Sequence, residues 1–173
     1  MLPTLASIAA YALAGMLVLC GGCASIPQTH GIPDWQIVTP PAKGQVAGIA
    51  CGGRPDAVGW RMLQASGYAT VINLDTVPDP ERAGMTMLQY PVTNWQQEFG
   101  LCGSQLEAAL QYLKDHPSGI YVHCFRGMNR TRTLIYKYRV EVCHWTPERA
   151  EAEANAFGWG SSFKALKEYA RGK

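Results

Sequence analysis

Residues 120–131 read IYVHCFRGMNRT: a short β-type run from Ile120 to His123, a cysteine, a loop containing one glycine, and the start of a helix. Ligands in open α/β sheets bind at the carboxyl ends of strands, and Cys124 stands at such an end. The loop formed by Phe125, Arg126, Gly127, Met128 and Asn129 can wrap its backbone N–H groups around an anion, with the helix N-terminus pointing at it. Arg130 follows Cys124 by six positions, so in a closed loop its guanidinium returns beside the thiol. That planar fork matches two oxygens of a tetrahedral oxyanion. The N–H dipoles and the arginine together favour a thiolate, the nucleophilic form of cysteine. Thr131 is placed to donate its hydroxyl to the sulfur. Arg126, Arg130, Arg132, Lys137 and Arg139 fall between residues 126 and 139 with no acid among them, which predicts a focused positive field.

The chain carries its own control. Cys143 and Arg149 repeat the Cys-x5-Arg spacing, but with Pro147 inside, no glycine, and no apolar strand ending at the cysteine. That copy is expected to be a helix–turn–helix junction without chemistry.

Outward from residue 120, short apolar runs alternate with helix-like stretches. VAGIAC before Gly52 and VINL after Thr70 are continuous enough for strands buried on both faces. MTMLQYPV, residues 85–92, is a third strand candidate. Pro55 to Ser66 has apolar residues near helical spacing and Gly67 as its stop. Ser104-Gln105-Leu106-Glu107 reads as a capping box opening a helix. Arg130 to Cys143 reads as a helix, Thr146-Pro147-Glu148 as the N-terminus of the next, and Ser162 as the start of the last. The expected fold is therefore α/β, a three-layer domain with a central, mostly parallel sheet flanked by helices.

Composition sets the outer bounds. The 173 residues are 47% hydrophobic and 16% charged, enough for one packed core. Lys+Arg minus Asp+Glu is 15 − 13 = +2, which gives no reason to expect a nucleic-acid partner. From Met1 to Ala42 the one charged side chain is Asp34, and Leu5 to Cys20 is an uncharged apolar run ending in Cys20-Gly21-Gly22-Cys23. This is the pattern of an export signal. It resembles a bacterial lipoprotein signal, with Cys23 as the lipid-bearing residue; a retained anchor helix is the alternative. The expected layout is a signal at 1–23, a Pro-rich linker at 24–45 and a domain at 46–173, exported and membrane-anchored on the periplasmic face. In the other reading of the linker, Trp35, Ile37 and Val38 pack onto the domain as an arm. Cys51, Cys102 and Cys143 are odd in number and read as buried thiols. His30, His116 and His144 are scattered and form no metal site. Trp145, Phe157, Trp159 and Phe163 read as core and cap residues.

HCFRGMNRT resembles the signature loop of the cysteine-dependent protein tyrosine phosphatase superfamily, in its compact dual-specificity branch with exported bacterial members. Gly52-Gly53-Arg54-Pro55, Gly67, VINLD ending at Asp75, and Tyr90-Pro91-Val92 extend the likeness over about Val46 to Tyr169. The resemblance implies a phosphocysteine on Cys124, phosphate held by Arg130 and the backbone of residues 125–130, and His123 and Thr131 in support. It implies no cofactor, and a phosphorylated protein or small phosphoester as substrate. Such relatives carry a proton-donating aspartate after the Tyr-Pro strand, where this chain has Thr93-Asn94-Trp95. Asp75, Asp79 and Glu98 are the candidate replacements, with Asp75 placed among the catalytic residues or as a brace of the loop. Trp95 and Phe99 border the expected pocket. Arg132 replaces a glycine common in relatives and is expected to contact substrate or face solvent. Because Asn94 cannot give up a proton, a pseudophosphatase that only binds phosphorylated ligands is the alternative.

Overall fold

The structure, a computed structural model, describes residues 31–93, 99–160 and 164–172, without the side chains of 99–102. The expectations for Cys23 and residues 1–30, for Asn94, Trp95 and Glu98, for Ser162 and Phe163, and for the side chains of Phe99 and Cys102 lie outside the described residues.

Five strands form one sheet: β1 (Gln36–Thr39), β2 (Ile49–Gly52), β3 (Thr70–Asn73), β4 (Thr86–Gln89) and β5 (Ile120–His123), in the order β1-β2-β5-β3-β4. Every pair is parallel except β1 with β2. Helices α1 (Ala57–Ala65), α2 (Phe99–Asp115), α3 (Arg130–Glu141), α4 (Pro147–Ala156) and α5 (Lys164–Ala170) complete the described elements. The three-layer reading is correct. Ile120 and Val122 join Ile72, Leu106, Leu110 and Leu134 in the core on one face. Tyr121 joins Val71, Trp60 and Leu63 on the other. Successive strand residues point to opposite faces. A sheet covered on both sides therefore needs the unbroken apolar runs that the sequence shows.

Helix α1 begins at Asp56, whose Oδ1 accepts from Val58 N at 2.7 Å and Gly59 N at 2.9 Å. It stops at Ser66, with Gly67 in the left-handed region at φ +80°. Ser104 is not a helix start: α2 already runs from Phe99, so the capping-box pattern lies inside the helix.

The linker boundary at residue 45 is also corrected. Ile32 and Val38 are buried, Trp35 stacks on Tyr121 with ring centroids 5.7 Å apart, and β1 is an antiparallel edge strand. Ile37 alone of the proposed arm is exposed. The arm is held from across the sheet by α3. Arg132 Nη2 donates to Asp34 O at 2.7 Å, and Arg139 Nη1 donates to Val38 O at 2.8 Å. Thus residues 31–39 belong to the domain. Among the described residues, no helix is long and apolar enough to cross a membrane.

Candidate active site

The register places Gly52, His123 and Asn73 side by side at the ends of β2, β5 and β3. Whatever follows these residues meets at one edge of the sheet. Gly53-Arg54 leaves β2, Cys124 leaves β5, and Leu74-Asp75 leaves β3. Topology alone thus gathers a thiol, a cation and a carboxylate at the carboxyl end of a parallel sheet.

The loop after Cys124 lies against the end of β2. Gly127 has φ +80°, and a Cβ there would sit 2.4 Å from the Gly52 carbonyl carbon. Only glycine satisfies both the backbone angle and that approach. Arg54 N donates to Phe125 O at 3.1 Å and ties the loop to the same strand end. At the exit, Asn129 Oδ1 accepts from Gly160 N at 3.2 Å, and Asn129 O accepts from Thr133 N at 2.8 Å. With its carbonyl and side chain occupied at these points, the loop directs its amides elsewhere. Among the described residues, the backbone N–H groups from Phe125 through Arg130 donate to no protein acceptor. Unpaired backbone donors at a loop that opens a helix are the arrangement that can bind an anion.

Arg130 closes this loop. Its Nη1 donates to Asp75 Oδ1 at 2.8 Å and lies 3.4 Å from both Leu74 O and Val92 O. All of its hydrogen bonds among the described residues use Nη1, which leaves the Nε–Nη2 edge free for a bidentate oxyanion. Cys124 is 3% exposed and shares a core cluster with Leu74 and Val92, whose carbonyls receive Arg130.

Asp75 is a brace. Burial pushes its carboxyl up, but the hydrogen bond and charge of Arg130, the Thr76 N–H and Arg54 outweigh burial and hold it below the usual carboxylate range. A carboxylate so held gives up no proton at neutral pH. Asp79 is engaged as well: its Oδ2 lies 2.7 Å from His123 Nε2, and both side chains are buried. His123 Nδ1 faces Cys124 O at 3.3 Å, so Asp79 and the cysteine's own carbonyl fix the ring from two sides. Arg54 links the two acids, with Nη2 3.5 Å from Asp75 Oδ2 and Nε 3.4 Å from Asp79 Oδ1. Sequence reasoning did not assign Arg54. Its signal was a cation immediately past a strand that ends at the same sheet edge as Cys124.

Two expectations fail. Thr131 Oγ1 hydrogen-bonds Gly52 O at 3.5 Å and not the sulfur, because the first turn of α3 packs on the end of β2. Arg132 neither meets substrate nor faces solvent. It is 1% exposed, its Nη1 contacts Gln36 Oε1 and Cys51 Sγ, and its guanidinium lies 4.4 Å from the Phe157 ring centroid. The positive field shrinks accordingly. Arg139 pairs with Glu153, and Lys137 with Glu107 and Glu141. Arg126 is exposed and makes no ion pair among the described residues.

The control copy behaves as expected. Cys143 to Arg149 is the junction between α3 and α4, with His144 at φ +54° and Thr146 Oγ1 capping α4 through Arg149 N. Trp159 is buried, while Phe157 lies under Arg132 and Trp145 under Arg139 and Arg149. Cys51, Cys124 and Cys143 are free thiols. Among the described residues, no group of three or more His, Cys, Asp or Glu is placed to hold a metal ion.

No protein-family model and no curated protein matches the chain by sequence. Solved structures match by fold. TpbA of P. aeruginosa is similar with a TM-score of 0.57 at 22% identity, over 73% of this chain and 80% of that one; a further TpbA structure is a complex with pTyr. The core catalytic domain of the PP-IP phosphatase Siw14 of S. cerevisiae has a TM-score of 0.56 at 20% identity, over 76% of this chain and 85% of that one. The fold is the one these solved structures share.

Proposed function

We propose that the chain hydrolyses phosphate monoesters through a phosphocysteine on Cys124. The observation that carries this reading is the run of unpaired amides from Phe125 to Arg130, bracketed by Cys124 and by the free edge of Arg130. The fold shared with TpbA and Siw14 supports it.

In the first step the Cys124 thiolate attacks phosphorus. The S–P bond forms, the ester P–O bond breaks, and the electron pair leaves on the ester oxygen, which takes up a proton. Charge spreading over the equatorial oxygens meets the loop amides and the Arg130 fork, which are in place before reaction. In the second step water attacks phosphorus, the S–P bond breaks, inorganic phosphate leaves and the thiolate is restored. Asp75 acts as a positioning residue that holds Arg130. Asp79 holds His123, and His123 steadies the carbonyl of the nucleophile. With Asp75 and Asp79 both engaged with cations or His123, the reaction suits leaving groups that depart with little help, such as phenolates.

The test is release of p-nitrophenol from p-nitrophenyl phosphate by the full chain. Cys124→Ser is expected to lower turnover by at least about 10⁴-fold, the scale set by loss of an enzymatic nucleophile. Unchanged turnover in Cys124→Ser would reject the reading. Vanadate binding without turnover in the wild type would establish the pseudophosphatase alternative. The same proposal extends to placement: the apolar run before Cys23 supports export, with Cys23 lipidated as the tether to the membrane.

A further inference from the structure

A cleft of about 490 Å³ opens beside the amide loop, walled in part by Pro33, Pro55, Phe125 and Met128. Pockets of this size with apolar walls and a few polar groups are ordinary ligand sites. Phe125 is 58% exposed and Val77 53%. Arg54 lies between them: its backbone N–H donates to Phe125 O, and its Nη2 donates to Val77 O at 2.5 Å. Phe125 is thus exposed on the loop itself, at the wall of the cleft.

The charges argue in the same direction. Among the described residues, Arg54, Arg126 and Arg130 stand at the cleft and loop against Asp34, Asp56, Asp75 and Asp79. Arg54 is spent on Asp75 and Asp79, and Arg130 serves the first phosphate. A second phosphate in the cleft would find Arg126 alone and would face Asp34 and Asp56. The cleft therefore disfavours anions beyond the one in the loop and favours apolar groups.

We propose that this cleft is a specificity subsite for an apolar side chain flanking a phosphotyrosine, so that the substrate is a phosphotyrosine protein and not a polyphosphorylated small molecule. This rests on the phosphatase reading. Tyrosine fits for two reasons. A phenol ionises near pH 10 and departs more easily than an alcohol, which suits a site whose described acids are engaged. Phe125, the residue after the nucleophile, also lines the cleft and offers an exposed aromatic face there.

The experiment compares kcat/KM of the full chain for phosphotyrosine peptides flanked by leucine, glycine or glutamate, with inositol hexakisphosphate as the polyphosphorylated probe. The leucine peptide is expected to exceed the glutamate peptide by about 10-fold or more, the scale of one apolar side chain gained or refused. Inositol hexakisphosphate is expected to fall below the leucine peptide. In Phe125→Ser the leucine-to-glycine ratio should fall toward one; a ratio within one variant cancels any change in the loop itself. In Asp34→Asn, which keeps a residue that tolerates the φ of +50° at this position, the glutamate-to-glycine ratio should rise severalfold. Equal rates for the three peptides, an unchanged ratio in Phe125→Ser, or preference for inositol hexakisphosphate would overturn the proposal. Binding of the same peptides to Cys124→Ser separates the two readings. A leucine preference in binding with no turnover in the wild type keeps the subsite and rejects the phosphatase; turnover without that preference does the reverse.

Discussion

Arg132→Ala removes a guanidinium that fastens the first strand to the domain. Nη2 donates to Asp34 O at 2.7 Å, Nη1 to Gln36 Oε1 and, at 3.2 Å, to Cys51 Sγ, and the group lies 4.4 Å from the Phe157 ring centroid. Two charge-assisted hydrogen bonds to oxygen at about 2 kcal/mol each and a stacking contact of about 1 kcal/mol sum to about 5 kcal/mol. Against this stands the desolvation of a buried charge whose Nε has no hydrogen-bond partner among the described residues; taking that as about 2 kcal/mol recovered on truncation leaves a net loss of about 3 kcal/mol. Urea unfolding of the full chain measures it. With a slope of about 2 kcal/mol per molar for a domain of this size, the midpoint should fall by about 1.5 M. Cleavage by a protease near Asp34–Ile37 should accelerate, because β1 is an edge strand with one neighbour. Arg132→Met keeps most of the volume and the contact with Phe157, and should lose about half as much. A loss below about 1 kcal/mol for Arg132→Ala, or a methionine variant more stable than wild type, would mean that desolvation outweighs these hydrogen bonds and that the arm is held by Ile32, Trp35 and Val38 instead.

Asp75→Asn tests the brace. As a positioning residue its loss should lower kcat/KM for an aryl phosphate by about 10–100-fold, through a freed Arg130, while both limbs of the kcat–pH profile remain; loss of the basic limb would instead make Asp75 the proton donor. Because its folded pKa is depressed, the stabilisation from Asp75 is complete above the unfolded value near 4 and disappears as pH falls through the lower folded value. The stability difference between wild type and Asp75→Asn should therefore be largest at neutral pH and close in acid. For placement, Cys23→Ser is expected to release the chain from the membrane fraction and to abolish labelling by a fatty acid; retention in the membrane would favour the uncleaved anchor.

The parts of the fold legible in the sequence were those decided locally. VINL and IYVH are apolar on both faces because β3 and β5 are covered on both faces. Gly67 and Gly127 take the left-handed backbone that their places demand. The misreadings came where distant partners decide. Pro33, Pro40 and Pro41 give residues 31–45 the look of a linker, and β1 is a four-residue edge strand with one buried side chain, so its own pattern is weak. What holds it comes from residues about a hundred positions away. Helix α2 begins at Phe99, where Gly100 and Gly103 dilute the helical signal, so Ser104 looked like the better start. Arg54 was overlooked because its importance comes from the register of β2 against β5 and not from any neighbour in sequence.

The cations of α3 show how direction, more than number, decides what a charged run does. A helix advances about 100° per residue, so Arg132 stands about 200° around the axis from Arg130, on the other side of the helix. Arg139, seven residues after Arg132, returns to within about 20° of it. Arg132 and Arg139 therefore share a face and reach the same target, the arm at Asp34 and Val38. Arg130, on the opposite side, is left to the loop and to Asp75. The spacing in the sequence already forbids all three from converging on one anion. What remains at the site is one arginine edge and a ring of amides, next to four carboxylates and two further arginines. On the proposed reading, a site of that balance suits a single dianion, held through oriented dipoles and a single fork. On that reading it gains little from further phosphates, because the cleft offers them Arg126 against Asp34 and Asp56.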